Sequence, residues 1–196
     1  MTGDRASRPE TRSLRLFVAF EIPDEAQRAI DEAVAPLRER FPDARWVPAA
    51  NRHVTVKFLG QTRPRLEPWV RDRVATVAAG SSAFETSLTR IGAFPGGRRA
   101  RVLWAGLDDG AGPMAAVAGA LDEALAAEFL PETRGFTLHC TVARSDPPLQ
   151  LDEGDLAVDL RVVRFPVEEA VLFRSHLGRP APRYDPLARF GLGRRP

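Results

Sequence analysis

At 196 residues the chain suffices for one domain, or two tightly joined lobes, with a real core. Its 44% apolar content fits a soluble globule, and no apolar run comes near the ~18 residues of a membrane-spanning helix. The formal net charge is only +2, yet Lys57 is the sole lysine among 28 basic side chains; GC-rich coding explains such an arginine bias, and the same guanidiniums can grip phosphates through paired bonds.

In chain order, residues 1–13 are polar, lack the apolar segment of a signal peptide and are expected to form a disordered tail. Residues 14–22 alternate and read as a strand. Pro23-Asp24 opens a helix to about Arg40, with Ala26, Ile30, Ala33 or Val34, and Leu37 on one face. Pro36 predicts a kink or an early end. Residues 45–47 form a short strand, and 52–59 a longer one closed by Gly60. Residues 66–79 make a second helix, striped by Leu66, Trp69 or Val70, Val74 and Val77. Strands follow at 84–91 and 101–107, then a third helix at 114–129 aligned on Val117, Leu121 and Leu125. Strands at 138–143, 158–163, 167–174 and 184–190 complete the sheet content, and 193–196 is a second short tail. One domain over 14–192 is expected, with no long linker dividing it.

Two of the three histidines stand in one pattern, His53-Val54-Thr55-Val56 and His139-Cys140-Thr141-Val142. On a strand, residues two apart share a face, so each histidine shares its face with a threonine while Val54, Val56, Cys140 and Val142 turn to a core. Imidazole can both take and give a proton near neutral pH. Two imidazoles flanking a phosphorus suit in-line displacement at a phosphodiester, one deprotonating the attacking oxygen and the other protonating the leaving oxygen. The motifs lie about half the chain apart, and a strand and then a helix precede each motif strand. Thr55 and Thr141 would offer hydroxyls to the phosphoryl oxygens.

Other chemistry is less well supported. Cys140 is the only cysteine, so no intrachain disulfide exists, which suits a reducing cytosol; it reads as a core thiol rather than a nucleophile. His176 has glycine two residues on and reads as a loop histidine. No H-E-x-x-H and no suitably spaced carboxylate appear, so no metal is expected. Gly96-Gly97-Arg98-Arg99 is not a P-loop but a Gly-Arg turn that reads as a flexible basic rim.

The paired His-x-Thr motifs resemble the two-histidine (2H) phosphoesterase superfamily. Arg15-Leu16-Phe17-Val18-Ala19-Phe20, Trp46-Val47-Pro48, Gly92-Ala93-Phe94-Pro95, Arg101-Val102-Leu103-Trp104, Val171-Leu172-Phe173-Arg174-Ser175 and Arg183-Tyr184-Asp185-Pro186 narrow the likeness to the RNA 2′,3′-cyclic phosphodiesterases, also known as 2′-5′ RNA ligases. The resemblance implies an α+β fold of two pseudo-symmetric lobes, antiparallel sheet plus helices, around a central cleft. It implies catalytic His53 and His139, with His53 as acid and His139 as base. Arg144 would clamp the phosphate and Phe58 would stack on the terminal base, with Phe17, Lys57 and Arg174 as further cleft wall; Tyr184 matches a family position without an assigned role. A regular strand turns both Arg144 and Phe58 away from their histidines, so Arg144 requires a bulge or a strand end near Ala143. The implied partner is RNA with a 2′,3′-cyclic phosphate end. No cofactor, no membrane and no obligate protein partner are implied, and a cytoplasmic monomer is expected. Small cyclic nucleotides or 2′-5′ oligonucleotides as substrates, and a non-catalytic RNA-binding module, are the alternatives.

Overall fold

The computed structural model describes residues 13–132, 136–178 and 181–193. The expected tails fall mostly on 1–12 and 194–196, outside the described residues; Gly193 itself bridges Ser82. The strands are β1 (Leu14–Glu21), β2 (Arg45–Trp46), β3 (His53–Thr62), β4 (Phe84–Phe94), β5 (Arg99–Leu107), β6 (His139–Gln150), β7 (Arg164–Val167), β8 (Glu169–His176) and β9 (Arg183–Gly191). The helices are α1 (Asp24–Arg40), α2 (Glu67–Ala79) and α3 (Pro113–Leu125).

The strands form one antiparallel sheet in the order β7-β4-β5-β6-β3-β1-β8-β9, with β2 added beside β6. That order is symmetric about its middle. Four strands lie on each side of the β3–β6 boundary, so each half contributes one His-x-Thr strand to the centre. Alternating side chains on β1, β3, β5 and β6 send Leu16, Val18, Phe20, Val54, Leu103, Ala105 and Cys140 to one face. All three helices join that core, through residues such as Ile30, Val34, Val70, Val74, Leu121 and Leu125. The opposite face holds a small apolar cluster of Phe17, Ala19, Val171 and Phe173, with Tyr184 against it. Helices cover one face, therefore, and the other is left to the cleft.

Several elements differ from the sequence expectation. Helix α1 runs through Pro36 to Arg40 without ending. Pro36 sits on the exposed side, where its ring meets solvent while Val34 and Leu37 keep the buried stripe. Residues 158–163 form no strand; Leu160 and Val163 are buried without a ladder, and only the Leu88 amide reaches the Val163 carbonyl, at 3.1 Å. The expected strand at 167–174 is two, broken at Glu168, whose carbonyl accepts from the Leu192 amide instead. Strand β6 continues to Gln150 because its far half pairs with Arg99 and Ala100 of β5.

Candidate active site

The centre of the sheet builds the site. Val54 pairs with Cys140, and antiparallel continuation of that register sets His53 against Thr141 and Thr55 against His139. Side chains directly opposite on neighbouring strands have Cβ atoms about 4.5–5.5 Å apart. Two imidazoles and two hydroxyls therefore occupy one small square on the face away from the helices, while Val54, Val56, Cys140 and Val142 lie in the core behind them.

Both strands are then bent in the same way. Against β1, β3 skips Val56: Thr55 pairs with Ala19 and Lys57 with Val18. Against β5, β6 skips Val142: Thr141 pairs with Trp104 and Ala143 with Leu103. In each strand two successive residues are buried, Val56 with Lys57 and Val142 with Ala143. Each is a β-bulge, and it inverts the facing of the residues beyond it. Phe58 and Arg144, five residues after their histidines, thus return to the histidine face. Phe58 is 49% exposed, and Arg144 Nη2 lies 3.5 Å from Thr141 Oγ1, long for a hydrogen bond.

The same bulge removes Lys57 from the cleft wall. It is 4% exposed on the helix side, where its ammonium pairs with Asp122 and donates to the Leu130 carbonyl at 3.0 Å. Arg174 lies opposite Leu16, in regular pairing beside Phe173 opposite Phe17. It therefore shares the face of Leu16 and Leu172, not that of Phe17 and His53. Phe17 does border the site: its ring centroid is 4.7 Å from that of His53.

Each imidazole is fixed by its own chain. His53 Nδ1 lies 2.9 Å from the Asn51 carbonyl, and His139 Nδ1 lies 2.7 Å from the Thr137 carbonyl. A carbonyl only accepts, so both Nδ1 atoms carry hydrogen and Nε2 is the nitrogen left for chemistry. The surroundings then diverge. His53 packs among Phe17, Phe173 and Tyr184, with Tyr184 edge-on at 5.3 Å. Burial lowers its pKa to about 4, against the raising effect of the Asn51 carbonyl and with help from the charges of Arg144 and His139. Among the described residues His139 meets one ring, Phe94, edge-on at 5.2 Å. Phe94 stacks on Trp104 at 5.1 Å, and Arg90 covers Trp104 at 4.9 Å. Gly92 and Gly106 make room for that indole; a Cβ on Gly92 would come within 2.2 Å of it.

Several contributors were missed by sequence reasoning. Arg52, next to His53, is buried and donates to the Val47 carbonyl at 3.2 Å and to Gln27, and it pairs with Asp31. It locks α1 to the start of β3. Asn51 fixes β3 to the approach of β9 by donating to the Pro182 carbonyl at 2.7 Å. Their position beside the motif was the only signal. His176 ends β8, with Nε2 2.8 Å from Asp185 Oδ2. Cys140 is fully buried, and burial pushes its thiol up to about 12. Among the described residues no cluster of three His, Cys, Asp or Glu side chains could hold a metal ion, and no helix is long and apolar enough to cross a membrane.

A curled antiparallel sheet whose two halves meet at paired His-x-Thr strands is the fold of the two-histidine phosphoesterases. The chain belongs to the 2′-5′ RNA ligase superfamily, whose family model matches residues 22–179. It is similar to an RNA 2′,3′-cyclic phosphodiesterase of Geobacillus stearothermophilus, 28% identical over 179 residues; that match covers 90% of this chain but only 56% of the relative. An RNA 2′,3′-cyclic phosphodiesterase of Methanothermobacter thermautotrophicus is 29% identical over 189 residues, covering 91% of this chain and 99% of that one. The crystal structure of a Thermus thermophilus protein superposes with a TM-score of 0.81 at 27% identity, covering 92% of this chain and 98% of that one.

Proposed function

We propose that this chain hydrolyses the 2′,3′-cyclic phosphate at an RNA end, expelling O3′ and leaving a 2′-phosphomonoester. The observation that carries this reading is the pairing of Val54 with Cys140, which gives both imidazoles and both hydroxyls one face of adjacent strands. The names of the similar proteins support the substrate class. His139 Nε2 takes the proton of the attacking water as the new P–O bond forms. His53 Nε2 gives its proton to O3′ as the old P–O bond breaks. Thr55, Thr141 and Arg144 bind the non-bridging oxygens, where negative charge shifts in the transition state. Phe58 stacks on the terminal base. The two proton transfers and these fixed donors supply the stabilisation, so no metal is required. With a ribose 5′-hydroxyl in place of water, the same displacement joins two ends through a 2′-5′ bond. A cytosolic monomer with no obligate partner is part of this reading.

The low pKa of His53 bears on its role. Burial keeps the free imidazole neutral at pH 7. An anionic cyclic phosphate seated against Nε2 favours the imidazolium, so the acid is charged only once substrate is bound. The test is an oligoribonucleotide ending in a 2′,3′-cyclic phosphate, incubated with and without excess chelator, with the product isomer identified. A 2′-phosphate end formed in chelator is the expected result. A 3′-phosphate product, binding without turnover, or activity lost to chelator and restored by zinc would each overturn a stated part of the mechanism.

A further inference from the structure

The residues assigned above handle one phosphate and one base. A second cation stands beside them. Arg15 shares the cleft face of β1 with Phe17, and its guanidinium lies over the Phe58 ring at 4.6 Å from the centroid. Among the described residues it pairs with no carboxylate. Stacking occupies the flat face of a guanidinium and leaves its N–H edge free for oxyanions. Phe17, two residues on, touches both His53 and Tyr184, at 4.7 and 5.1 Å. Arg15 is therefore one two-residue step from the reaction centre, about 7 Å along a strand. That step is comparable with one nucleotide of an extended single strand. Tyr184, edge-on to Phe17, is near enough to both Arg144 and Arg15 to feel their charges. A cavity of about 500 Å³ adjoins Phe58, between Gly60, Gln61 and Arg63 and the residues after α3, Glu128 to Leu130.

We infer that Arg15, held flat on Phe58, is a second phosphate-binding position that takes the phosphodiester on the 5′ side of the terminal nucleotide. The enzyme then favours oligoribonucleotide ends over cyclic mononucleotides, which lack that phosphate. This rests on the proposed function and sharpens its substrate class. The Tyr184 hydroxyl, without a hydrogen-bond partner among the described residues, faces the same stretch of substrate as a neutral donor.

The experiment compares a dinucleotide ending in a 2′,3′-cyclic phosphate with a cyclic mononucleotide, for wild type, Arg15→Ala and Arg15→Lys. Wild-type turnover of both substrates tests the proposed function by itself. Arg15→Ala is expected to lower kcat/KM for the dinucleotide about tenfold, the scale of one charge-assisted contact, and to leave the mononucleotide within about twofold. The salt dependence of binding for an oligonucleotide bearing a 2′-phosphate end should weaken by about 0.7 in log–log slope, one phosphate contact on a single strand. Arg15→Lys keeps the charge and so most of that slope, while losing the planar fork and part of the affinity. Equal losses on both substrates would mean that Arg15 only supports Phe58. No loss on either, or an unchanged salt slope, would mean that no second phosphate is bound. Either result overturns the inference while leaving the hydrolytic reading intact.

Discussion

The two halves of the sheet share a scaffold and differ in what they attach to it. Strands β3 and β6 carry the same His-x-Thr, the same imidazole-to-carbonyl brace at the residue two before the histidine, and the same bulge after the threonine. Five residues past each histidine the bulge returns a side chain to the cleft. In one half it is Phe58 and in the other Arg144. The first half buries its imidazole among Phe17, Phe173 and Tyr184; the second sets its imidazole beside Phe94, and carries Arg144 near Thr141. Symmetry in the backbone thus sets two equivalent imidazoles on one face, and asymmetry in the side chains adds aromatic rings to the first half and the Arg144 guanidinium to the second.

The largest expected effect tests what the halves share. His53→Ala and His139→Ala should each lower hydrolysis of a cyclic phosphate end at least ~100-fold, the scale of a positioned acid or base, with folding nearly unchanged. Steady-state rates and circular dichroism of both variants check this. Near-wild-type turnover in either would end the two-histidine mechanism.

The next tests where the halves differ. His53 has a folded pKa of about 4 against 6.5 for the free imidazole. Its contribution to stability is fully present above pH 6.5, where both states are neutral. It is lost as pH falls through 4, because only the unfolded chain takes the proton over that interval. The loss amounts to about 3 kcal/mol. Denaturant midpoints between pH 7 and pH 4 should therefore fall more steeply for wild type than for His53→Asn; parallel curves would remove burial of His53 as the cause. The kinetic counterpart is an alkaline limb of kcat lying at higher pH than that of kcat/KM, since kcat reports the complex and kcat/KM the free enzyme. Coincident limbs would deny that substrate charges His53 and would make it the base instead.

Arg144 comes next. A charge-assisted contact contributes roughly 1.5–3 kcal/mol, so Arg144→Ala should cost at least ~10-fold in kcat/KM. Arg144→Lys keeps the charge but loses the fork and should remain impaired. Full activity in the lysine variant would reduce the second half's guanidinium to a point charge.

How legible these halves were in the sequence depends on period. The strand period of two placed His53 with Thr55 and His139 with Thr141, and helical stripes located all three helices near their ends. Bulges break that period at Val56 and Val142, where β-branched valines look like any other strand residue. Nothing local in the sequence marks them except the need for Arg144 to reach the cleft. Lys57 was misread for this reason: the bulge turns it to Asp122, and only the fold brings Asp122 of α3 beneath β3. Arg174 failed on register, because its face is set by pairing with Leu16, far away in sequence. The buried brace of Arg52 on Gln27 and Asp31 likewise depends on where α1 packs. Residues 158–163 had strand-like apolar content, but a strand also needs a partner with free backbone groups, which composition cannot reveal.

The smallest expected effect separates the two threonines. Threonine to valine keeps the shape and the strand preference and removes only the hydroxyl. If each hydroxyl gives one neutral hydrogen bond to a phosphoryl oxygen, Thr55→Val should cost about fivefold in kcat/KM. Thr141 differs in that its oxygen lies 3.5 Å from Arg144 Nη2, a long contact that would tighten and aim the guanidinium once a phosphate is bound. Thr141→Val should therefore cost more than Thr55→Val. Its effect should also overlap with that of Arg144→Ala, because both variants lose the same aimed contact, whereas Thr55→Val and Arg144→Ala should add independently. A double-mutant cycle measured on the dinucleotide substrate reads this directly, and coupling of about 0.5 kcal/mol or more marks shared function. Equal single losses with additive doubles would show that the second half gains nothing from its threonine. The difference between the halves would then lie in Phe58 and Arg144 alone.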